Sequence, residues 1–137
     1  MKRSILMVAL ITLSVLTGCG GTNKSNAGVS MACASVESYL DTKALVLSNI
    51  GAGISDPVTD VQGFVGDFPV NGKTGLEIKK KYLDAMINWA NNVSDALKSS
   101  NSESGITSAA KILESDIDSI EPLCVNNGWK FASGWRG

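Results

Sequence analysis

Residues 104–121, SGITSAAKILESDIDSIE, have the most regular hydrophobic pattern in the chain. Apolar side chains recur there at spacings of three and four residues, and the pattern continues just beyond the segment: Ile106, Ala110, Leu113, Ile117, Ile120 and Cys124. This spacing places them on one face of an α-helix. Pro122 has no backbone N–H, so we expect the helix to end or kink near Glu121, and Asn126-Asn127-Gly128 provides a stop signal.

A second long helix is predicted upstream, from Thr74 to about Lys98. Thr74 and Glu77 form the pattern T-x-x-E, whose two side chains can each satisfy an otherwise unpaired backbone N–H of the first turn. The expected apolar face contains Leu76, Leu83, Met86, Ala90, Val93 and Leu97, and it is widened by Ile78, Tyr82 and Trp89. A face of this width predicts contacts with two neighbouring elements.

Two further helices are predicted nearer the N-terminus. Asp56 as an N-cap and Pro57 at the first helical position indicate a short helix over 57–68. From Ser30 to about Asn49, apolar residues again recur at helical spacing: Cys33, Val36, Leu40, Ala44 and Leu47. No segment shows the sustained alternation of apolar and polar residues that is typical of a strand. The expected fold class is therefore all-α.

The positions of two cysteines constrain how these helices are arranged. Cys33 lies near the start of the first helix and Cys124 just beyond the last. A disulfide requires their Cα atoms to lie within ~7 Å of each other. If 57–68 is a return element, an up-down-up-down arrangement brings the two ends together. The alternative is a pair of reduced, buried cysteines. We predict a small up-down helical bundle, with three long helices plus one short helix, closed by one disulfide.

The first nineteen residues form a separate unit. Lys2 and Arg3 precede an apolar run over 5–15, which is shorter than the ~20 residues that a membrane-spanning helix needs. The run is followed by Leu16-Thr17-Gly18-Cys19. This start, residues 1–19 only, resembles the lipobox signal peptide of bacterial lipoproteins. The resemblance implies cleavage before Cys19 and attachment of a diacylglyceryl group to its thiol. The alternative is an ordinary secretory signal with an unrelated cysteine.

This division gives four parts of the chain. Residues 1–18 are the expected lipoprotein signal peptide, 19–29 the lipidated cysteine and a flexible tether, 30–128 the helical bundle domain, and 129–137 an aromatic-basic tail. We expect the protein to be lipid-anchored on the exported side of a bacterial cell membrane or outer membrane, where disulfides persist. The chain from Cys19 onward has ten Lys and Arg against thirteen Asp and Glu, which argues against a nucleic-acid partner.

Side chains suited to catalysis or metal binding are sparse. The chain has no histidine, the commonest general base and metal ligand, so we expect no enzymatic activity, no cofactor and no metal site. The acidic residues Glu114, Asp116, Asp118 and Glu121 are interpreted as a solvated helix face. The run Lys79-Lys80-Lys81 could meet anionic lipid headgroups, but three adjacent charges spread around a helix, and a solvated surface is the favoured interpretation.

The tail is the least ordinary segment of the sequence. Trp129, Lys130, Trp135 and Arg136 place two tryptophans beside cations just after the last predicted helix. Such residues suit a membrane interface or a protein-binding surface. In the other interpretation, which is slightly favoured, the tail folds back and its rings cover the end of the bundle.

These features predict a non-catalytic binding module of the bacterial envelope. Its partners would be the membrane, through the lipid anchor, and an envelope protein or polymer. The narrower alternative is a lipoprotein for phage superinfection exclusion or toxin immunity, which small size and surface anchoring would suit. A small envelope enzyme is the remote alternative.

Overall fold

The computed structural model describes residues 26–53 and 56–137. Within these ranges the chain forms five α-helices and no strand: α1 (Ala27–Glu37), α2 (Tyr39–Gly51), α3 (Pro57–Val61), α4 (Lys73–Leu97) and α5 (Ser102–Asn126). A π-helical turn (Gln62–Gly66) extends α3. The predicted all-α fold is confirmed.

Helix α4 lies at the centre and packs against α1, α3 and α5. It contributes the largest fully buried side chains of the core, among them Trp89, Tyr82, Ile78 and Met86. Its C-terminal end meets the start of α5, since Gly105 lies directly against Ala96. The two longest helices are therefore antiparallel. Leu113, Ile117 and Ile120 of α5 complete this side of the core.

The predicted disulfide is present between Cys33 and Cys124, whose Cα atoms lie 5.8 Å apart. Both cysteines are fully buried. The bond joins the middle of α1 to the end of α5. Gly28, near the start of α1, packs against Gly75, near the start of α4, so α1 begins at the end of the bundle where α5 finishes and the two helices run in opposite directions. Helix α3 and its π-helical turn return the chain between α2 and α4. The structure is thus the up-down bundle, closed by a disulfide, that the sequence predicts.

The predicted helix over 30–49 is interrupted at Ser38. The Ser38 hydroxyl donates a hydrogen bond to the Ala34 carbonyl at 2.9 Å, an arrangement that bends helices. Up to Val36 the predicted apolar face is buried, but beyond the bend the fully buried residues are Tyr39 and Val46. After the bend, the predicted positions Leu40 and Leu47 pack against the core but are only partly buried, and the expectation for Ala44 was wrong, because it is exposed.

Helix α1 begins earlier than its hydrophobic pattern predicts. The Asn26 side chain accepts a hydrogen bond from the backbone N–H of Val29 at 2.9 Å and caps the helix. Val29 is fully buried. Residues 27–29 were expected to be part of the tether, but they belong to the bundle. Residues 19–25 of that tether, including Cys19, lie outside the described part of the chain.

The start of α4 also differs from the prediction. Its N-cap residue is Gly72, with φ of 85°, and no side chain caps the helix. Thr74 lies inside the first turn, so the predicted capping box with Glu77 was wrong. The reason is packing: a Cβ atom on Gly75 would lie 2.7 Å from the Gly28 carbonyl carbon, and one on Gly28 would lie 1.7 Å from the Asn71 carbonyl oxygen. The backbones of α1 and α4 meet at this point.

We expect Gly28→Ala to lower the free energy of unfolding by about 1 to 3 kcal/mol, because the added methyl group forces this junction apart. The matched control is Gly63→Ala in the π-helical turn, where nothing lies within 4 Å of an added Cβ. There the loss of glycine flexibility should stabilise the protein by about 0.5 to 1 kcal/mol. Thermal unfolding followed by circular dichroism measures both. Equal effects of the two substitutions would contradict the close junction.

Helix α5 does not end at Glu121 but continues through Pro122 to Asn126. The predicted stop at Gly128 is confirmed, because this residue has φ of 90°. Two hydrogen bonds of 3.0 Å close the helix, from the Gly128 N–H to the Val125 carbonyl and from the Trp129 N–H to the Cys124 carbonyl. This is the Schellman pattern, which reverses the chain direction after a helix.

Tyr82 is fully buried in the core and its hydroxyl has no hydrogen-bond partner. Burial raises the pKa of Tyr82 to about 12, against the opposing effect of the nearby Thr42 hydroxyl. The Thr42 hydroxyl itself donates to the Ser38 carbonyl at 3.3 Å. A buried hydroxyl without a hydrogen bond of good geometry costs free energy, because its lost contact with water is not replaced.

Tyr82→Phe should therefore leave stability at pH 7 unchanged or slightly higher. The two proteins should diverge in alkali. The pKa of Tyr82 is higher in the folded protein than in the unfolded chain. The stability of the wild type is therefore unaffected below pH 10 and falls as the pH rises from 10 towards 12, whereas the variant lacks this ionisable group. Two pKa units correspond to about 2.7 kcal/mol in full, of which about 2.3 kcal/mol is lost by pH 12. Urea denaturation at pH 7 and at pH 11 to 12 tests this, and parallel pH profiles for the two proteins would contradict it.

Candidate functional site

After the turn at Gly128 the chain folds back along the bundle. Residues 129–137, the C-terminal segment, pack three half-buried aromatic side chains against the core: Trp129, Phe131 and Trp135. They cover the side of the bundle formed by α1, the start of α2 and the second half of α5. The sequence left open whether this segment binds a partner or covers the bundle, and the structure places it on the bundle.

The aromatic rings form a connected group. Phe131 and Trp135 are stacked, with ring centroids 4.1 Å apart and an interplanar angle of 18°. Trp135 and Tyr39 meet edge to face, with ring centroids 5.9 Å apart. Trp129 and Phe131 meet in the same way, with centroids 6.4 Å apart. These are the preferred geometries of aromatic pairs. The rings of the C-terminal segment are therefore fixed against each other and against α2.

Polar contacts hold the segment in place. The Ala132 N–H donates a hydrogen bond to the Glu37 carboxylate at 2.7 Å. The Arg136 guanidinium forms ion pairs with Asp118 and Glu121 on α5 and lies 4.6 Å above the Trp135 ring. Burial lowers the pKa of Arg136, but hydrogen bonds to the two carboxylates outweigh this, and its pKa is raised. The cation thus serves to attach the segment to α5.

Tyr39 links this group to the core. The residue is fully buried, and burial raises the pKa of its hydroxyl. The nearby carboxylate of Glu114 acts in the same direction, whereas the charge of Arg136 opposes it. A neutral phenol therefore lies against the Trp135 ring.

The four tail residues singled out from the sequence occupy different environments. Trp129 and Trp135 are half-buried, and Arg136 is engaged by two carboxylates. For Arg136 to meet a lipid phosphate it would have to leave both ion pairs. Lys130 is exposed, as are Ala132, Ser133 and Gly134. The outer surface of the segment therefore combines one cation, small residues and the accessible parts of stacked rings.

Sequence reasoning missed the residues that receive the segment. Asp118 and Glu121 were assigned to a solvated acidic face, yet they hold Arg136. Their spacing of three residues, which places them side by side on a helix, was the available signal. Glu37 and Tyr39 gave no such signal, because their partners lie about 95 residues further along the chain.

The lysine run is also divided among separate roles. The Lys79 ammonium donates hydrogen bonds to the carbonyls of Gly66, at 2.7 Å, and Phe68, and so closes the end of the π-helical turn. Lys80 forms an exposed ion pair with Asp84 at 2.7 Å, and Lys81 borders a shallow polar groove between α4 and α5. The three ammonium groups do not form one cationic patch.

Residues 26–53 and 56–137 contain no group of three or more cysteine, aspartate or glutamate side chains that could hold a metal ion. No helix in these ranges has both the length and the apolar character required to cross a bilayer. No protein-family model, curated protein or solved structure matches the chain.

Proposed function

We propose that this protein is a bacterial envelope lipoprotein, anchored through Cys19, that acts as a non-catalytic binding module. The anchor is supported by the sequence Leu16-Thr17-Gly18-Cys19 after a short apolar run, and these residues lie outside the described part of the chain. The bundle itself offers buried apolar side chains and shallow polar grooves, without a clustered set of reactive groups in the described residues.

The outer surface of the C-terminal segment is the proposed binding surface. The observation that carries this proposal is the stacked pair Phe131 and Trp135, held in a fixed position yet only half-buried. Aromatic residues and arginine are enriched in the energetically dominant parts of protein interfaces. Because Arg136 and Glu37 already fix the segment, a partner would meet an ordered surface and little conformational entropy would be lost on binding.

Site-specific photo-crosslinking in intact cells tests this surface. A benzophenone amino acid at the exposed position Ser133 should yield a discrete crosslinked partner, because Ser133 lies in the turn between the stacked rings. The matched control is the same amino acid at Ser104, an exposed position near the start of α5. Equal crosslinking from both positions, or crosslinking from Ser104 alone, would rule out the C-terminal segment as the binding surface. A phage protein or toxin as the partner would identify an exclusion or immunity role.

Cys19→Ser should abolish membrane anchoring, because it removes the site of lipid attachment and no helix within residues 26–53 and 56–137 could span a bilayer. Membrane fractionation and mass spectrometry of the N-terminal peptide provide the measurement. The wild-type protein should partition with membranes and carry the lipid mass on Cys19. Wild-type protein that is recovered without lipid would contradict the proposal.

A further inference from the structure

The length of the tether limits how the bundle can sit at a membrane. Seven residue steps separate Cys19 from Asn26, where the described chain begins, and even a fully extended tether spans at most about 25 Å. Helix α4 has 25 residues and is about 37 Å long. The tether is therefore shorter than the bundle. The bundle cannot be inverted so that the loop between α4 and α5 faces the lipid.

The tether enters the bundle at one end, which we name the anchor end: residues 26–28, 69–76 and 125–128. Gly28 packs against Asn71 and Gly75 at the start of α4. The end of α5 lies beside the start of α4, because these two helices are antiparallel and Gly105 at the start of α5 contacts Ala96 near the end of α4. The opposite end is formed by the α4–α5 connection around Lys98.

The composition of the anchor end differs from the rest of the surface. It contains the exposed Lys73 and no carboxylate; the nearest one along α4 is Glu77. The described residues as a whole carry nine Lys and Arg against thirteen Asp and Glu. Two large apolar side chains are also unusually open here, with Leu76 52% and Val125 51% exposed.

We propose that the anchor end is a second membrane-binding surface, which rests on anionic lipid headgroups while Cys19 holds the acyl chains. Leu76 and Val125 lie at the interface, and Lys73 faces the headgroup charge, as basic residues beside a lipid anchor do. This inference rests on the lipidation of Cys19 in the proposed function. It leaves the C-terminal segment on the lateral surface, accessible to a partner, and points the α4–α5 connection away from the bilayer.

Tryptophan quenching measures this orientation directly. The lipidated protein is reconstituted into vesicles of phosphatidylethanolamine and phosphatidylglycerol that contain lipid brominated close to the headgroup. Leu76→Trp adds a fluorophore at the anchor end. The matched control is Leu97→Trp, at an exposed position about 32 Å away along the same helix. The wild-type emission is subtracted in each case. The remaining emission of the tryptophan at position 76 should be mostly quenched, and that of the tryptophan at position 97 should be retained.

Charge reversal tests the role of Lys73. In the Leu76→Trp protein, Lys73→Glu should reduce quenching on phosphatidylglycerol vesicles and leave it unchanged on phosphatidylcholine vesicles. The variant should fold normally, since a carboxylate in the first turn of a helix is favourable. Lys98→Glu, at the opposite end, should have no effect on quenching.

Vesicle flotation of the same samples separates the two proposals. Protein that floats with its vesicles but shows equal quenching at positions 76 and 97, or stronger quenching at 97, overturns the second membrane-binding surface and leaves the anchor intact. Protein that does not float overturns the anchor, and the orientation with it. Flotation with quenching confined to position 76 supports both.

Discussion

Replacement of both Cys33 and Cys124 by alanine is expected to lower the free energy of unfolding by about 4 to 5 kcal/mol. The two residues are 91 positions apart, so the disulfide removes a large amount of conformational entropy from the unfolded chain. Both are fully buried, and alanine avoids placing a serine hydroxyl in the core. The bond also fixes the relation between α1 and α5, which makes it the most influential single link in the fold.

Urea denaturation of the purified protein provides the measurement, and non-reducing peptide mapping establishes that the bond is present in the wild type. Val125→Ala is the control, because this residue is adjacent to Cys124 but half exposed, and should change stability by less than about 0.5 kcal/mol. Two alkylatable thiols in freshly isolated wild-type protein, or equal stability of the wild type and the double variant, would contradict the expected role of the disulfide.

Truncation after Gly128 should lower the free energy of unfolding by about 3 to 4 kcal/mol. Each of the three half-buried aromatic side chains contributes roughly half of the 1.5 to 3 kcal/mol available from full burial. The truncation also removes the ion pairs of Arg136 and exposes Tyr39, which is now fully buried. The melting temperature should fall by several degrees for each kcal/mol lost.

Two single substitutions separate the contributions to this loss. Arg136→Met removes the ion pairs and keeps the rings; because Arg136 is partly exposed, it should cost no more than about 1 kcal/mol. Ser133→Ala, at an exposed position without a contact to the core, should leave the melting temperature unchanged. If the truncated protein melted at the wild-type temperature, the C-terminal segment would not be packed in solution, and its full aromatic surface would be open to a partner.

The sequence was sufficient to predict the all-α bundle, because apolar residues recur at helical spacing along the chain. A bond between Cys33 and Cys124 also requires the first and last helices to be antiparallel. Local deviations were not predictable from that spacing. The bend at Ser38 depends on a hydroxyl that bonds to the preceding turn, a choice that serine makes in many helices without bending them. The start of α4 depends on two glycines, Gly28 and Gly75, that are distant in sequence and meet only in the folded bundle.

The C-terminal segment shows where sequence reasoning reached its limit. Its composition drew attention to Trp129, Lys130, Trp135 and Arg136, and covering the bundle was the favoured interpretation. The pairing of Arg136 with Asp118 and Glu121 could be suspected from charge and spacing alone. The contact between Trp135 and Tyr39 could not, because the bend at Ser38 brings Tyr39, and not Leu40, to the buried face.

The close junction of Gly28 with Asn71 and Gly75 has a mechanical consequence for a chain held at its N-terminal side. A pulling force that arrives through residue 26 first loads this junction and the first turns of α1. Unwinding can release residues 26–32 and then reaches Cys33, whose covalent bond to Cys124 transfers the load to α5. At most seven residues, about 25 Å of extended chain, can therefore be pulled out before the force must act on the whole core.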